Sequence, residues 1–306
     1  MTGIPDRIVL GTRGSPLALR QAEEVRGLLQ AAHPGLGVAI QEIAVVGDQV
    51  QDRPLSEIGG KGLFTKELDR AVLDGRCDAA VHSMKDVETW LADGIGIAAI
   101  LEREDVRDAF LSPVAGSLSD LPAGAKVGTS SLRRKAQILD RRPDLQVVLF
   151  RGNVQTRLRK LNEGVAHATL LALAGLNRLE MADVATIVLE PDEILPAAAQ
   201  GAIGVTVSTG RDDLKAAFAP LNHATSAAEV MAERGFLDVL DGSCHTPIAA
   251  LARIDGDSVF FRGLVAHPDG TRVLRTERSG AAADAEGLAR DAAAELKAQM
   301  GDNFFD

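Results

Sequence analysis

The chain has 306 residues, of which 46% are apolar and 25% charged, and its formal net charge is −10. These values are typical of a globular protein and argue against wholesale disorder. No apolar run approaches the roughly 18 residues of a spanning helix, and Asp6 and Arg7 interrupt the stretch that a signal peptide would need. We therefore expect a cytoplasmic protein that does not enter a membrane.

Short apolar runs alternate with helical patterns over about two thirds of the chain, which predicts parallel sheets covered by helices. The first block reads as strand 7–13, helix 15–33, strand 38–46, loop 47–62, helix 63–75 and strands 79–83 and 95–101. The second block reads as strand 126–128, helix 131–141, strand 145–150, helix 154–163, strand 167–174, a short helix and strand 186–189. Ser15 and Pro16 favour the N-cap and the first position of a helix.

The remaining elements predict the domain organisation. Strand 202–208 follows the second block, so we expect it to return to the first sheet. Helix 223–240, strands 248–254, 258–265 and 272–278, and helix 282–299 come last. The predicted fold is α/β, with two lobes and a cleft between them, plus a small C-terminal α+β domain. The predicted boundaries are 1–101 with 202–221 for domain 1, 102–201 for domain 2 and 222–306 for domain 3.

Residues 126–160 form a basic segment inside an acidic chain. Ten Lys or Arg residues stand against Asp140 and Asp144, a net charge of +8 that leaves −18 on the rest of the chain. Such an asymmetry indicates an anionic partner. Aromatic residues make up only 3% and Tyr is absent, so a stacking surface for single-stranded nucleic acid is poorly supplied. We expect a small, multiply anionic ligand and no nucleic acid.

Two strand-to-helix junctions in this segment combine arginine with the start of a helix. They are residues 128–134 (GTSSLRR) and 151–157 (RGNVQTR), where Asn153 can cap the second helix. Backbone N–H groups at a helix start favour anions, and guanidinium groups bind carboxylate or phosphate bidentately. Ordinary caps and solvated arginines would explain one junction; two in one lobe favour an anion site. Arg159 and Lys160 lie further along and read as a solvated face.

The cysteines and histidines predict no metal site. Cys77 and Cys244 are far apart, and no Cys or His pair except the adjacent Cys244 and His245 has metal-ligand spacing. A disulfide is not expected in the cytoplasm. Cys77 precedes an apolar strand and reads as a small buried residue. His82 lies within a strand, and we assign it no chemical role.

Eight stretches match the motifs of one family in the family's order. They are GTRGSPLAL at 11–19, GGKGLFTKEL at 59–68, VHSMKD at 81–86, VGTSSLRR at 127–134, RGNV at 151–154, AGLNRL at 174–179, QGA at 200–202 and GSCHTP at 242–247. The sequence therefore resembles the porphobilinogen deaminase (hydroxymethylbilane synthase) family of tetrapyrrole biosynthesis. Single motifs such as HSMKD are only suggestive, whereas the ordered set is highly specific.

The resemblance implies a transferase that joins four porphobilinogen molecules head to tail, releases ammonia at each step and frees linear hydroxymethylbilane with water. It also implies a dipyrromethane cofactor, made from the same substrate and held by a thioether to a cysteine, and a monomeric protein. Each pyrrole ring carries two carboxylates. Their number gives a physical reason for so many arginines in an acidic protein.

Residue by residue, the resemblance implies that Cys244 attaches the cofactor and that Asp86 is the catalytic carboxylate. A carboxylate near the pyrrole N–H stabilises the cation that loss of ammonia leaves. The implied cofactor binders are Ser83, Lys85, Asp86, Thr129, Ser131, Arg133 and Arg134. The implied binders of incoming substrate and growing chain are Arg13, Ser15, Gln21, Arg151, Arg157 and Arg178. Loop 47–62 matches a flexible loop that borders the cleft, and its glycines favour a covering lid.

Two other classes of function stay open at this point. A non-catalytic, two-lobed carboxylate-binding protein would share the periplasmic-binding-protein-like architecture, but it would need neither Asp86 nor Cys244. Without the resemblance, Asp86 would read as a salt bridge to Lys85, and Arg178 as a solvated helix residue. A nucleic-acid-binding protein would show an affinity that falls steeply with salt.

Overall fold

A computed structural model describes residues 3–49, 62–242, 246–301 and 304. The strands are β1 (Arg7–Thr12), β2 (Gly37–Glu42), β3 (Ala79–Ser83), β4 (Ile95–Ile100), β5 (Asp108–Leu111), β6 (Lys126–Gly128), β7 (Gln146–Val148), β8 (Ala168–Ala172), β9 (Ile187–Leu189), β10 (Ile203–Ser208), β11 (Ile248–Asp255), β12 (Ser258–Ala266) and β13 (Val273–Ala281). The α-helices are α1 (Pro16–Ala32), α2 (Val46–Gln49), α3 (Lys66–Leu73), α4 (Leu132–Arg141), α5 (Val154–Asn162), α6 (Leu173–Arg178), α7 (Asp212–Phe218), α8 (Ala224–Val239) and α9 (Ala285–Met300). The described residues fall into two units, one of 3–49, 62–104 and 201–227, the other of 105–200, 228–242, 246–301 and 304.

The first unit is built on a five-stranded sheet of order β2-β1-β3-β10-β4. β1 runs parallel to β2 and β3, whereas β10 runs antiparallel between β3 and β4. Alternate residues of the strands point to opposite faces, and both faces are covered: Leu10 packs in one core with α1, and Val9 packs in another with α3. The predicted return of strand 202–208 to the first sheet is confirmed.

Helix α1 starts where local chemistry predicts. The Ser15 hydroxyl accepts a hydrogen bond from the backbone N–H of Ala18 at 3.3 Å, and Pro16 occupies the first helical position. The helix buries Ala22, Val25 and Leu29 against the sheet. Burial of this apolar stripe holds the helix in place.

The second unit contains a five-stranded sheet of order β7-β6-β8-β5-β9. β6 is parallel to β7 and β8, but β5 is antiparallel to β8 and β9. The prediction of parallel sheets was therefore wrong for β5 and β10, because neither strand is reached through the strand-helix-strand crossover that makes neighbours parallel. β5 was not predicted at all: it has four residues and opens with a charged one, Asp108.

A three-stranded antiparallel sheet, β11-β12-β13, also belongs to the second unit. Its core joins the rings of Phe236 in α8 and Phe261 in β12, whose centroids are 5.2 Å apart, to the alanine-rich face of α9. Gly263 allows this packing, because a Cβ there would lie 2.5 Å from the Phe236 ring. The prediction of two α/β sheets plus a small α+β region is confirmed, while the three domain boundaries stay a prediction.

Several predicted elements change at their ends. The strand predicted over 167–174 becomes helical at Leu173, and the predicted helix 63–75 is limited to α3. Residues 46–49 form the helical turn α2, which overlaps the start of the predicted loop 47–62. Residues 50–61 lie outside the described residues, as does the lid hypothesis for them. In the described part of the chain, no helix has the length and apolar character needed to cross a membrane.

Candidate active site

Asp86 lies on a 3₁₀ turn, Met84–Asp86, that directly follows β3. The turn is fixed at its start, since Met84 donates its backbone N–H to the carbonyl of Ala202 at 3.0 Å. The Met84 side chain is buried above Gly204, where an added Cβ would lie 2.0 Å from the sulfur. The buried methionine thus anchors a turn that carries two partly exposed charged residues, Lys85 and Asp86.

Arg13 follows β1 and contacts two carboxylates. Its Nη1 donates to Asp86 Oδ2 at 3.3 Å, its Nε donates to Asp48 Oδ2 at 2.9 Å, and its Nη2 pairs with Asp48 Oδ1. The guanidinium also lies over the Phe64 ring, 4.3 Å from the centroid. We call Arg13, Asp48 and Asp86 the Arg13 cluster. Burial acts to lower the pKa of Arg13, but the two carboxylates outweigh burial and raise the pKa above its usual value.

Two further predicted binders of the first unit contact each other. Gln21, buried in α1, donates Nε2 to the hydroxyl of Ser83 at 2.9 Å, and that hydroxyl lies 3.1 Å from Gln21 Oε1. Ser15 uses its hydroxyl as the N-cap of α1. His82, the neighbour of Ser83, is buried with Nε2 3.0 Å from Thr206 Oγ1, and burial together with the Arg13 charge lowers its pKa to about 4. A neutral, enclosed imidazole agrees with the absence of an assigned role.

In the second unit, Thr129 and Ser131 shape the start of α4. Ser131 is the N-cap, with its hydroxyl accepting from the N–H of Arg134 at 3.4 Å, and Thr129 Oγ1 accepts from the N–H of Ser131 at 3.1 Å. Gly128 brings the chain close to Phe150, since an added Cβ would lie 2.5 Å from that ring. Between the two caps, the Ser130 hydroxyl is buried and has no hydrogen-bond partner within the described part of the chain.

Arg133 and Arg134 are buried and share one carboxylate, that of Asp108 at the start of β5. Arg133 donates Nη2 to Asp108 Oδ2 at 2.9 Å, and Arg134 donates Nε to Oδ2 at 3.0 Å and Nη2 to Oδ1 at 2.8 Å. Gln200 donates Nε2 to Oδ1 at 2.8 Å. We call these four residues the Asp108 cluster. Burial by itself would raise the pKa of Asp108, but the neighbouring arginines hold it well below its usual range.

The second junction is built around α5. Asn153 caps the helix as predicted, its Oδ1 accepting from the N–H of Thr156 at 2.9 Å. Arg151 is buried just before the helix, and Arg157 donates Nε to the carbonyl of Gly152 at 2.9 Å. Lys160 was predicted to be a solvated residue, but its Nζ donates to the carbonyl of Arg151 at 3.0 Å. The ammonium group of Lys160 therefore lies at the junction and is bonded to its backbone.

Among the predicted binders, Arg178 is the last residue of α6 and half-buried. The predicted cofactor cysteine, Cys244, lies outside the described residues. Sequence reasoning missed three residues: Asp108, Asp48 and Gln200. The one available signal for Asp108 was a charged residue opening an otherwise apolar run, Ala109 to Leu111. In the described ranges, no group of three His, Cys, Asp or Glu side chains could hold a metal ion.

The Asp108 cluster has the properties that a multiply carboxylated cofactor requires. Two guanidinium groups face one carboxylate, so the cluster carries a surplus positive charge. Arg133 Nε and Ser130 Oγ are buried polar atoms without a hydrogen-bond partner in the described residues, and such atoms indicate an acceptor that arrives with a ligand. These residues therefore fit a ligand that brings carboxylates.

Two family models match the chain. Residues 8–216 match "Porphobilinogen deaminase, dipyromethane cofactor binding domain", and residues 227–298 match "Porphobilinogen deaminase, C-terminal domain". The chain belongs to the porphobilinogen deaminase family. The family prediction is confirmed, and so are the predicted transferase activity and the dipyrromethane cofactor that define the family.

Individual relatives agree over nearly the whole length. The chain is 55% identical to a porphobilinogen deaminase of Nitrobacter winogradskyi over 298 residues, which cover 97% of this chain and 94% of the relative. It is 56% identical to a chloroplastic porphobilinogen deaminase of Oryza sativa subsp. japonica over 307 residues, 98% of this chain and 86% of the relative. Among solved structures, it is similar to the methionine-binding protein MetQ, with 13% identity and a TM-score of 0.47, over 73% of this chain and 93% of that one. The family match favours the enzyme over a non-catalytic carboxylate-binding protein.

Proposed function

We propose that this protein joins four porphobilinogen molecules head to tail, releases ammonia at each addition and frees linear hydroxymethylbilane with water. The observation that carries the proposal is the match to both family models across residues 8–216 and 227–298. The Arg13 cluster supports it, because it places a carboxylate on an accessible turn and orients it with a guanidinium.

Asp86 is the catalytic carboxylate of this proposal. In each addition the C–N bond of the protonated aminomethyl group breaks, the electron pair leaves with the nitrogen as ammonia, and the substrate becomes a cation with charge on its pyrrole nitrogen. The new C–C bond forms between this cation and a pyrrole carbon of the growing chain, and that carbon then loses its proton. A carboxylate fixed beside that N–H accepts its hydrogen bond and stabilises the cation. Arg13 holds Asp86 through Oδ2 at 3.3 Å, so the carboxylate is oriented before substrate arrives.

We infer that Cys244 carries the cofactor by a thioether. When bound, the dipyrromethane supplies the nucleophilic pyrrole carbon and the first rings of the chain. Its carboxylates are held by Ser83, Lys85, Thr129, Ser131, Arg133 and Arg134, and Asp86 binds the cofactor by accepting from pyrrole N–H groups. The residues for incoming substrate and growing chain are Arg13, Ser15, Gln21, Arg151, Arg157 and Arg178. The buried positions of Arg133, Arg134 and Arg151 support a role in binding carboxylates, because a desolvated guanidinium binds carboxylate more strongly than an exposed one.

We also propose that the protein is a cytoplasmic monomer that binds no nucleic acid. Several cations of the basic segment 126–160 have partners inside the protein: Arg142 bonds Asp144 and the carbonyls of Leu118 and Leu121, and Arg133 and Arg134 bond Asp108. A segment whose cations are held in this way offers few of them to a long polyanion. Light scattering after size exclusion tests the monomeric state, and a binding assay at two salt concentrations tests whether nucleic acid binds.

The intact mass of the purified protein tests the cofactor and its attachment together. We expect the mass of the chain plus two linked pyrrole units, loss of this addition in Cys244→Ala, and its retention in Cys77→Ala. Consumption of porphobilinogen, followed with the same samples, should disappear only in Cys244→Ala. A fully active protein of unmodified mass would overturn the attachment, and a wild type that consumes no porphobilinogen would overturn the function.

A further inference from the structure

Asp108 is the most enclosed charged group of the second unit's arginine sites. Its side chain is 0% exposed, and its two oxygens accept from three side chains: Arg133, Arg134 and Gln200. Each oxygen takes two of these hydrogen bonds, as a carboxylate oxygen with two lone pairs can. One carboxylate thus fixes the direction of two guanidinium planes.

Backbone carbonyls complete the frame. Arg133 donates Nη1 to the carbonyl of Leu195 at 2.8 Å, and Arg134 donates Nη1 to the carbonyl of Leu170 at 2.8 Å. Gln137, one turn along α4, donates Nε2 to the same Leu195 carbonyl at 3.0 Å and accepts from the Leu195 N–H at 2.8 Å, so it fixes that carbonyl in turn. The guanidinium groups are consequently held from three parts of the fold, and both of them bond Asp108.

The positive charge of Arg133 and Arg134 is only half neutralised inside the Asp108 cluster. Two guanidinium charges face one carboxylate, burial lowers the pKa of Arg133, and Arg133 Nε is a buried donor without a partner in the described part of the chain. An enclosed surplus of positive charge is costly unless an anion supplies the missing acceptor. The side of Arg133 that Asp108 does not occupy is therefore prepared for one.

We propose that Asp108 is a positioning residue, which orients the guanidinium groups of Arg133 and Arg134 toward the carboxylates of the dipyrromethane and does not itself touch them. The inference rests on the proposed function, in which these arginines hold the cofactor. Gln200 in turn holds Asp108, since its Nε2 donates to Asp108 Oδ1 at 2.8 Å and to the carbonyl of Val106 at 2.7 Å.

Two roles for Asp108 predict opposite effects of Asp108→Asn. If Asp108 only neutralised charge, its removal would leave a more positive pocket that holds anionic pyrroles as well or better. If it positions the arginines, the amide loses a charge-assisted acceptor and the guanidinium planes turn away, so the cofactor is held poorly in spite of the added charge. The sign of the effect distinguishes the roles.

The experiment compares wild type, Asp108→Asn, Asp105→Asn and Val127→Ala, each incubated with porphobilinogen and weighed by intact mass. Asp105→Asn repeats the chemical change at a partly exposed carboxylate that pairs with Arg107, and Val127→Ala lowers stability from a buried position in β6. For Asp108→Asn we expect a several-fold lower fraction of protein with the two-pyrrole addition. We also expect kcat per loaded molecule to fall about tenfold, with the KM for porphobilinogen within about twofold of wild type.

A second variant, Gln200→Leu, keeps the proposal testable if Asp108→Asn does not fold. Gln200→Leu removes one donor to Asp108 and should lower kcat per loaded molecule about two- to threefold, with the same unchanged KM. Equal loading and equal kcat in Asp108→Asn and wild type would overturn the proposal, as would the same losses in Val127→Ala. A wild type with no two-pyrrole addition and no turnover would instead overturn the function on which the proposal rests.

Discussion

The Arg13 cluster and the Asp108 cluster use the same chemistry at different depths. In the first unit, the side chains of Arg13, Asp48 and Asp86 are 20%, 35% and 33% exposed. In the second unit, Arg133, Arg134 and Asp108 are 5%, 6% and 0% exposed. Both clusters combine guanidinium with carboxylate, yet water reaches only the first.

The difference in exposure means that the ion pairs of the Arg13 cluster can exchange partners, whereas those of the Asp108 cluster are permanent. An ion pair that water reaches contributes about 0–1 kcal/mol, so a ligand carboxylate can replace Asp48 on Arg13 at little cost. Removing one member of a buried pair costs about 3–5 kcal/mol, because it leaves an uncompensated charge. The first cluster is therefore suited to chemistry and to exchange, and the second to holding a fixed frame.

The largest expected effect is on turnover, at the accessible cluster. Asp86→Asn removes the charge that stabilises the substrate cation, so kcat should fall about 100-fold or more. The thermal midpoint should change by less than about 2 °C, because the lost ion pair is partly exposed. Steady-state kinetics and thermal unfolding check both, with Asp93→Asn, an exposed aspartate after β3, as the matched control. Near-wild-type kcat in Asp86→Asn would remove Asp86 from its catalytic role.

The second effect is on stability, at the buried cluster. Asp108→Asn should lower the free energy of unfolding by about 3–5 kcal/mol, which corresponds to a drop of roughly 6–15 °C in the thermal midpoint. The two variants should thus differ in opposite ways. Asp86→Asn should lose turnover but keep its stability, whereas Asp108→Asn should lose more stability than Asp86→Asn. If the thermal midpoint of Asp108→Asn fell by less than that of Asp86→Asn, the contrast between the two clusters would be contradicted.

The loss of stability at acidic pH depends on the interaction of Asp108 with Arg133 and Arg134. Burial opposes ionisation of Asp108, yet the charges of Arg133 and Arg134 prevail and lower its pKa in the folded protein. A depressed carboxyl pKa stabilises the fold above the unfolded value of about 4, and this contribution is lost as pH falls below it. Thermal midpoints between pH 7 and pH 3 should therefore fall more steeply for wild type than for Asp108→Asn. Parallel curves would mean that Asp108 does not contribute this linkage.

What the sequence predicted correctly was local chemistry. Ser15 and Asn153 cap the helices that follow them, because a cap depends on neighbours only three residues away. The two clusters could not be predicted, since their partners are distant: Asp108 lies 25 residues from Arg133 and 92 from Gln200 in the chain. Two arginines at a helix start look alike in sequence whether they are solvated or buried, and the deciding carboxylate stands on another strand.

A smaller effect is expected at Asp48, which occupies two donor groups of Arg13. Under the proposed function, a substrate carboxylate competes with Asp48 for these donors, so Asp48→Asn should lower the KM for porphobilinogen by up to about fivefold at unchanged kcat. Added salt should shrink the difference from wild type, because it screens partly exposed charges. A higher KM in Asp48→Asn would show that Asp48 holds Arg13 in its binding orientation and does not compete.

The smallest effect is expected at Cys77, a buried group with no part in either cluster. Its thiol is 3% exposed, packs under Gly11 and has a pKa raised by burial to about 11, so almost no reactive thiolate exists at neutral pH. Cys77→Ala should keep the two-pyrrole addition and kcat, with a loss of about 1 kcal/mol or slightly more from the lost packing.

Alkylation with iodoacetamide makes this comparison of the two cysteines quantitative. Native wild type should take up no label, because Cys77 is enclosed and the sulfur of Cys244 is committed to the thioether. Unfolded wild type should take up one label, unfolded Cys77→Ala none and unfolded Cys244→Ala one. Two labels on unfolded wild type would mean that both thiols are free and that Cys244 carries no cofactor. Burial alone makes a sulfur inert in the folded chain, whereas a covalent partner makes it inert in the unfolded chain as well.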